Sequence, residues 1–285
     1  VDGAKHAGHD SITYQQFKLW YLSPDFLQRY TAAIHEALKI KRKRLLKVRR
    51  NYIQDLKAIQ RTQKNKDGLA SILKDLNNTS DVKTIQGAID EMAALINEID
   101  HRQATLSIEQ TRANLISAVT DRKYGIESLT GREDIKNFLA EKLYTFAYNP
   151  RVFFTNFQNM AIYGPSGIGK TKLAQVVGHV YANSGILVRN HVHIVTKQAM
   201  TTAYVDESGR KTRKLLLANL ESVVFIDEAY DMTPPNSVLG KGIDHGHEAI
   251  AEMVNFMDKM LGLSIIIVAG YEEQMKERFM QANEG

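Results

Sequence analysis

After a mixed opening segment holding the aromatic residues Phe17, Trp20, Tyr21 and Phe26, apolar and polar positions fall into a helical rhythm that lasts to about residue 122, and glycine and proline almost vanish. Leu38, Leu45, Tyr52 and Ile59 recur every seven residues. Beyond Asn77-Asn78-Thr79-Ser80, where a break is expected, Val82, Ile85, Ile89, Met92, Ile96 and Ile99 follow in steps of three and four. This spacing lays an apolar seam along a long helix. Two arrangements satisfy it: helices closing on each other as a hairpin or small bundle, or an extended coiled coil that recruits a partner. Neither implies catalysis.

Near Tyr124-Gly125-Ile126 the pattern changes, and from Asn159 short β-rich apolar runs alternate with helical stretches. Strands are predicted over 159–163, 191–195, 222–227 and 263–269, with helices over 169–182, 209–219, 247–261 and 272–281. Such alternation predicts an α/β fold, a mostly parallel sheet with helices on both faces and ligands outside the carboxyl ends of its strands. The expected organisation is a helical, basic region over 1–125 followed by an α/β core over 126–285.

Two motifs fall at those strand ends. Directly after Met160-Ala161-Ile162-Tyr163 come Gly164, Pro165, Ser166, Gly167, Ile168, Gly169, Lys170 and Thr171, which match G-x-x-x-x-G-K-[ST] between a strand and a helix; Lys172 follows. In that context the glycines let backbone N–H groups curl around phosphates, the helix N-terminus adds a favourable dipole, Lys170 reaches the β- and γ-phosphates, and the Thr171 hydroxyl faces Mg²⁺. The second motif is Val223-Val224-Phe225-Ile226-Asp227-Glu228, an apolar strand ending in two carboxylates, which resembles a Walker B segment. There Asp227 would hold Mg²⁺ and Glu228 would polarise the attacking water. ATP and Mg²⁺ are the expected ligands, and Lys170 and Glu228 the expected catalytic pair.

Five blocks in order, GPSGIGKTKLAQVVG, AYVDESGRKTRKLLLANL, VVFIDEAYDM, DHGHEAIAEMVNFMD and IIIVAGYEEQMKERFMQANEG, give residues 126–285 a resemblance to the AAA+ ATPases, and among them to the group containing red-type Rubisco activase and stage V sporulation protein K. The resemblance implies a ring, usually of six subunits, that binds ATP between neighbours and pulls a protein client through its pore. It places Tyr204 and Val205 in the pore loop that grips the client. It puts Tyr271 where many relatives carry a polar sensor, and Leu129-Thr130-Gly131 near the adenine, although Thr130 could equally be a plain helix N-cap. It also implies a neighbour-acting arginine and a helical lid after the ANEG block, whereas the sequence stops at Gly285. That stop and the opening Val1 suggest a piece of a longer chain.

Charge adds a further candidate. The net charge is +5, but residues 1–125 carry 21 Lys and Arg against 14 Asp and Glu, while 126–285 carry 16 against 18. The densest run, Lys41-Arg42-Lys43-Arg44 with Lys47, Arg49 and Arg50, is interleaved with Leu45, Leu46 and Val48 on an amphipathic helix. It suits a solvated helix face, an acidic protein partner or nucleic acid. The pairs His191/His193 and His245/His247 have a metal-like spacing without a third ligand nearby. The absence of cysteine excludes disulfides and thiolate metal sites. No apolar run is long enough to span a bilayer, so a soluble, intracellular protein without a membrane partner is expected. Three functions remain: a motor remodelling proteins, a nucleic-acid motor or loader, and a structural subunit that uses ATP as a clamp.

Overall fold

The computed structural model describes residues 12–64, 70–156, 158–202, 207–233 and 245–282, with side chains from 62 to 81 and that of His245 left aside. The four β-rich runs form β1 Met160–Tyr163, β2 Val192–Val195, β3 Val223–Ile226 and β4 Ile265–Gly270. All pairings are parallel, in the order β1-β4-β3-β2. Every residue of β3 and β4 is buried, as befits unbroken apolar runs covered on both faces. Tyr163 pairs with Gly270 and Ile226 with Val268, so β1, β4 and β3 bring their carboxyl ends to one edge.

Helices fill the connections. The chain begins with α1 Tyr14–Trp20, α2 Pro24–Lys64, α3 Ala70–Thr105 and α4 Ile108–Thr120. A tight turn at Ile126–Ser128 leads into α5 Glu133–Tyr148 and α6 Pro150–Thr155. The crossovers are α7 Lys170–Asn183, α8 Lys197–Met200, α9 Glu207–Ala218 and α10 His245–Lys259. The last predicted helix is shorter than expected: α11 Glu272–Gln274 widens into a π turn over Met275–Phe279, which buries both Met275 and Phe279.

The seam of the N-terminal region closes as a hairpin. Arg42 pairs with Asp100 at 2.6 Å, and Arg49 donates to the Ile89 carbonyl, so α2 and α3 run antiparallel. Leu38, Leu45, Met92 and Ile99 are fully buried, each worth roughly 1.5–3 kcal/mol of apolar transfer, while Tyr52, Ile59 and Val82 are half exposed. The break expected at 77–80 does not occur, because α3 runs through it. Asn, Thr and Ser each cost a helix only about 0.7 kcal/mol or less relative to Ala, too little to stop a long one without Gly or Pro. Around Phe17 the aromatic residues join α1 and α2 to α5, with Trp20 edge-on to Phe26 and Tyr144 and with Tyr30 against Phe146. One apolar core runs from these rings through the hairpin into the sheet.

The basic run is divided: Lys43, Lys47 and Arg50 are exposed, as a solvated face requires, but the others turn to the chain itself. Lys41 is fully buried and donates to both carboxylate oxygens of Glu221 at 2.7 Å and to the Gly262 carbonyl at 2.9 Å. Arg44 donates to the carbonyls of Leu261 and Phe154, and Arg42 and Arg49 are held by α3. From α3, Arg102 reaches the carbonyls of Leu187 and Val188. These cations dock the hairpin on the strand ends opposite the motifs. Burial pushes the pKa of Lys41 down and that of Glu221 up, and the partner's charge opposes each shift.

Removing one member of this pair strands the other in the interior. Lys41→Met or Glu221→Leu alone should destabilise the protein by about 3–5 kcal/mol, and the two together should recover most of that loss. Denaturant unfolding of the four proteins measures it; additive losses would show that the pair is not coupled.

Candidate active site

The loop between β1 and α7 turns on glycines. Gly167 and Gly169 have φ of 80° and 98°, in the left-handed region that disfavours side chains, and a Cβ built on either would meet no atom within 4 Å. The loop is tied to the neighbouring strand by the Gly164 N–H, which donates to the Gly270 carbonyl at 3.1 Å. Gly169 caps α7 without any side-chain acceptor, so the first-turn amides are left for an external one. Inside the loop Lys170 is 7% exposed, and its ammonium donates to the carbonyls of Gly164 and Pro165 at 3.0 and 3.1 Å. Open space, uncapped amides and a buried ammonium together fit a polyphosphate.

Of the other loop residues, Pro165, Ser166, Gly167, Ile168 and Gly169 are exposed, while Gly164 and Thr171 are half buried. Lys172 points elsewhere: its ammonium meets the Lys123 carbonyl and lies 4.4 Å from the centre of the Tyr124 ring. Only its backbone remains directed by the start of α7.

Asp227 and Glu228 leave the buried strand β3 at the same edge. The Asp227 carboxylate accepts the Glu228 N–H at 3.1 Å, and Glu228 itself takes a left-handed conformation, φ 51° and ψ 44°, before the tight turn Ala229–Met232. Desolvation, and then the charge of Asp227, raise the pKa of the Glu228 carboxyl; the Lys170 ammonium pulls it back, and Asp231 adds to the rise. Such a carboxylate is a stronger proton acceptor than an exposed one. The Lys170 effect places the two motifs within electrostatic reach, although the sequence separates them and β4 lies between their strands. The carboxylate of Asp227 and the hydroxyl of Thr171 are hard oxygen donors, the set that Mg²⁺ prefers.

Sequence reasoning passed over Tyr230. Its ring fills the space above Gly270, where an added Cβ would come within 2.7 Å of it, and lies 6.1 Å from the Tyr271 ring. Tyr271 in turn stands 5.6 Å from the Lys170 ammonium. The bare α-carbon of Gly270 was the available signal, because a glycine ending a buried strand marks a close approach. Two cations on the same turn, Lys197 and Arg278, left no local signal. Tyr204 and Val205 lie outside the described residues. Leu129 is buried and Gly131 turns the chain with φ 71°, but α5 starts at Glu133 behind Arg132, so Thr130 is not its N-cap. Two residues, Gly131 and Arg132, separate Thr130 from the first helical residue. Among the described residues no group of three or more His, Cys, Asp or Glu could hold a metal, and no helix is long and apolar enough to cross a membrane.

Comparison with known proteins agrees with this geometry. The family model described as ATPase family associated with various cellular activities (AAA) matches residues 160–282. A protein CfxQ homolog of Galdieria sulphuraria is 32% identical over 127 residues, 45% of this chain and 40% of its own length. Stage V sporulation protein K of Bacillus subtilis is 31% identical over 127 residues, 45% of this chain and 38% of its own. The ESX-3 secretion system protein EccA3 of Mycobacterium tuberculosis is 30% identical over 122 residues, 43% of this chain and 18% of its own. The matched stretch thus spans well under half of each relative. The motif geometry, the family match and these relatives agree: residues 160–282 are similar to the AAA ATPases.

Proposed function

We propose that this protein binds Mg-ATP at the β1–α7 loop, hydrolyses it, and uses the cycle to remodel a protein client as part of a ring. The observation that carries the reading is the convergence at one sheet edge of an open glycine loop, a buried lysine and a carboxylate of raised proton affinity. In this reading the α7 amides and Lys170 hold the phosphates and withdraw charge from the γ-phosphoryl group. Thr171 and Asp227 would hold Mg²⁺, which would supply charge neutralisation for the phosphates. Glu228 orients a water and takes its proton as the water oxygen bonds to the γ-phosphorus and the bond to the β-phosphoryl oxygen breaks, releasing ADP and phosphate. Tyr204 and Val205 are the proposed grip on the client, and a hexamer of this chain the proposed ring.

The nucleic-acid reading keeps only the exposed Lys43, Lys47 and Arg50 of the basic run, since Lys41, Arg42, Arg44 and Arg49 hold carbonyls and carboxylates of the chain itself. A structural subunit with ATP as a clamp stays distinct by its lack of turnover.

Lys170→Ala should weaken ATP binding about 10–100-fold, the worth of one charge-assisted hydrogen bond. Glu228→Gln should leave binding within a few-fold and lower kcat about 10²–10⁴-fold. Calorimetry and phosphate release on the full-length protein read both; turnover in Glu228→Gln equal to wild type would return the protein to the clamp reading. DNA or RNA added to the wild type should change turnover by less than about twofold at any salt, and a strong, salt-sensitive stimulation would restore the nucleic-acid motor.

A further inference from the structure

The turn Ala229–Met232 follows directly from Glu228, whose left-handed backbone is a conformation that persists only where surrounding contacts enforce it. Within the turn the Tyr230 carbonyl accepts from the Thr233 N–H at 3.0 Å and from its hydroxyl at 2.8 Å. Two cations add to this and reach the next carbonyls, those of Asp231 and Thr233. The Arg278 guanidinium, on the π turn after β4, donates from Nε to the Thr233 carbonyl at 3.1 Å and from Nη2 to the Tyr230 carbonyl at 3.1 Å, with a second contact from Nη2 to Thr233. Lys197, at the start of α8 after β2, donates to the Asp231 carbonyl at 2.7 Å. Since β4 and β2 flank β3, the turn is clasped from both neighbouring strands.

Arg278 does more than close carbonyls. Its guanidinium lies 5.6 Å from the centre of the Tyr230 ring, the ring that occupies the space above Gly270 and meets Tyr271 beside Lys170. One side chain therefore fixes both the segment that begins at the candidate base and the aromatic wall next to the candidate phosphate lysine. We propose that Arg278 is a positioning residue for ATP hydrolysis, holding the Glu228 turn in register with Lys170 through Tyr230 and Thr233. This rests on the hydrolytic reading above. Arg278 acts through the turn, since its Nε and Nη2 are engaged with Tyr230 and Thr233. A planar fork is needed to serve two carbonyls and stack on a ring at once; a lysine can serve one.

The test uses the full-length protein with Arg278→Gln, Arg278→Lys and Glu228→Gln beside wild type, following ATP affinity, kcat and Tm. A displacement of about 1 Å in a reacting group can cost about 10²-fold, so kcat of Arg278→Gln should fall about 10–100-fold while ATP affinity stays within about twofold. Arg278→Lys should regain part of the lost kcat at the same affinity, a rescue that a simple loss of folded protein would not produce. Wild-type kcat in Arg278→Gln, or a fall in affinity that matches the fall in kcat, overturns the proposal. If Arg278→Gln does not fold, Arg278→Lys decides: intermediate kcat with intact affinity supports it, and unchanged kcat sinks it. Wild-type turnover that Glu228→Gln abolishes keeps the hydrolytic reading whatever Arg278 does. A wild type that binds ATP without turnover removes both.

Discussion

Strand β3 is buried along its whole length, so the charged groups that flank it must sit at one of its two ends. At its foot Glu221 meets Lys41 from the helical hairpin. At its head Asp227 and Glu228 face the glycine loop. Ser222 and the four apolar residues of β3 thus separate an ion pair that holds the molecule together from carboxylates suited to chemistry. The burial that makes the first pair costly to break also excludes water between the two ends, and it is desolvation that most raises the proton affinity of Glu228.

The same constraint explains how the helical region is used. The hairpin docks opposite the glycine loop through Lys41, Arg44 and Arg102, which take carbonyls and a carboxylate at the feet of β3 and β4 and before β2. Part of the positive charge that looks, in sequence, like a surface for an outside partner is used inside the chain, while Lys43, Lys47 and Arg50 stay exposed. At the opposite edge, cations again meet carbonyls: Lys197 and Arg278 on the turn after Glu228, and Lys170 within its own loop. Both ends of the sheet are finished by the same chemistry, long cationic side chains completing backbone groups that strands and short turns leave unpaired.

What the sequence made legible is what depends on local pattern. The four strands, the loop from Gly164 to Thr171 and the acid pair all follow from apolar runs and fixed spacings, and they appear within a residue or two of their predicted places. The seven-residue seam announced α2 and α3, yet it could not say that Asn77 to Ser80 stays helical, because weak propensities yield to a long helix. The roles of Lys41, Arg278 and Tyr230 were illegible for a different reason. Each acts on a carbonyl, carboxylate or glycine far away in sequence, and no spacing within a segment records which distant backbone a cation will reach.

The measurement that bears most directly on this division of β3 is ATP turnover per folded molecule, taken with Tm, for Glu221→Gln and Glu228→Gln in the full-length protein. The account predicts that Glu228→Gln stops turnover at nearly wild-type Tm, whereas Glu221→Gln lowers Tm and leaves the folded fraction turning over. If Glu228→Gln instead unfolds the protein while retaining activity, or Glu221→Gln abolishes turnover without loss of stability, the two ends of the strand do not have the separate roles assigned to them.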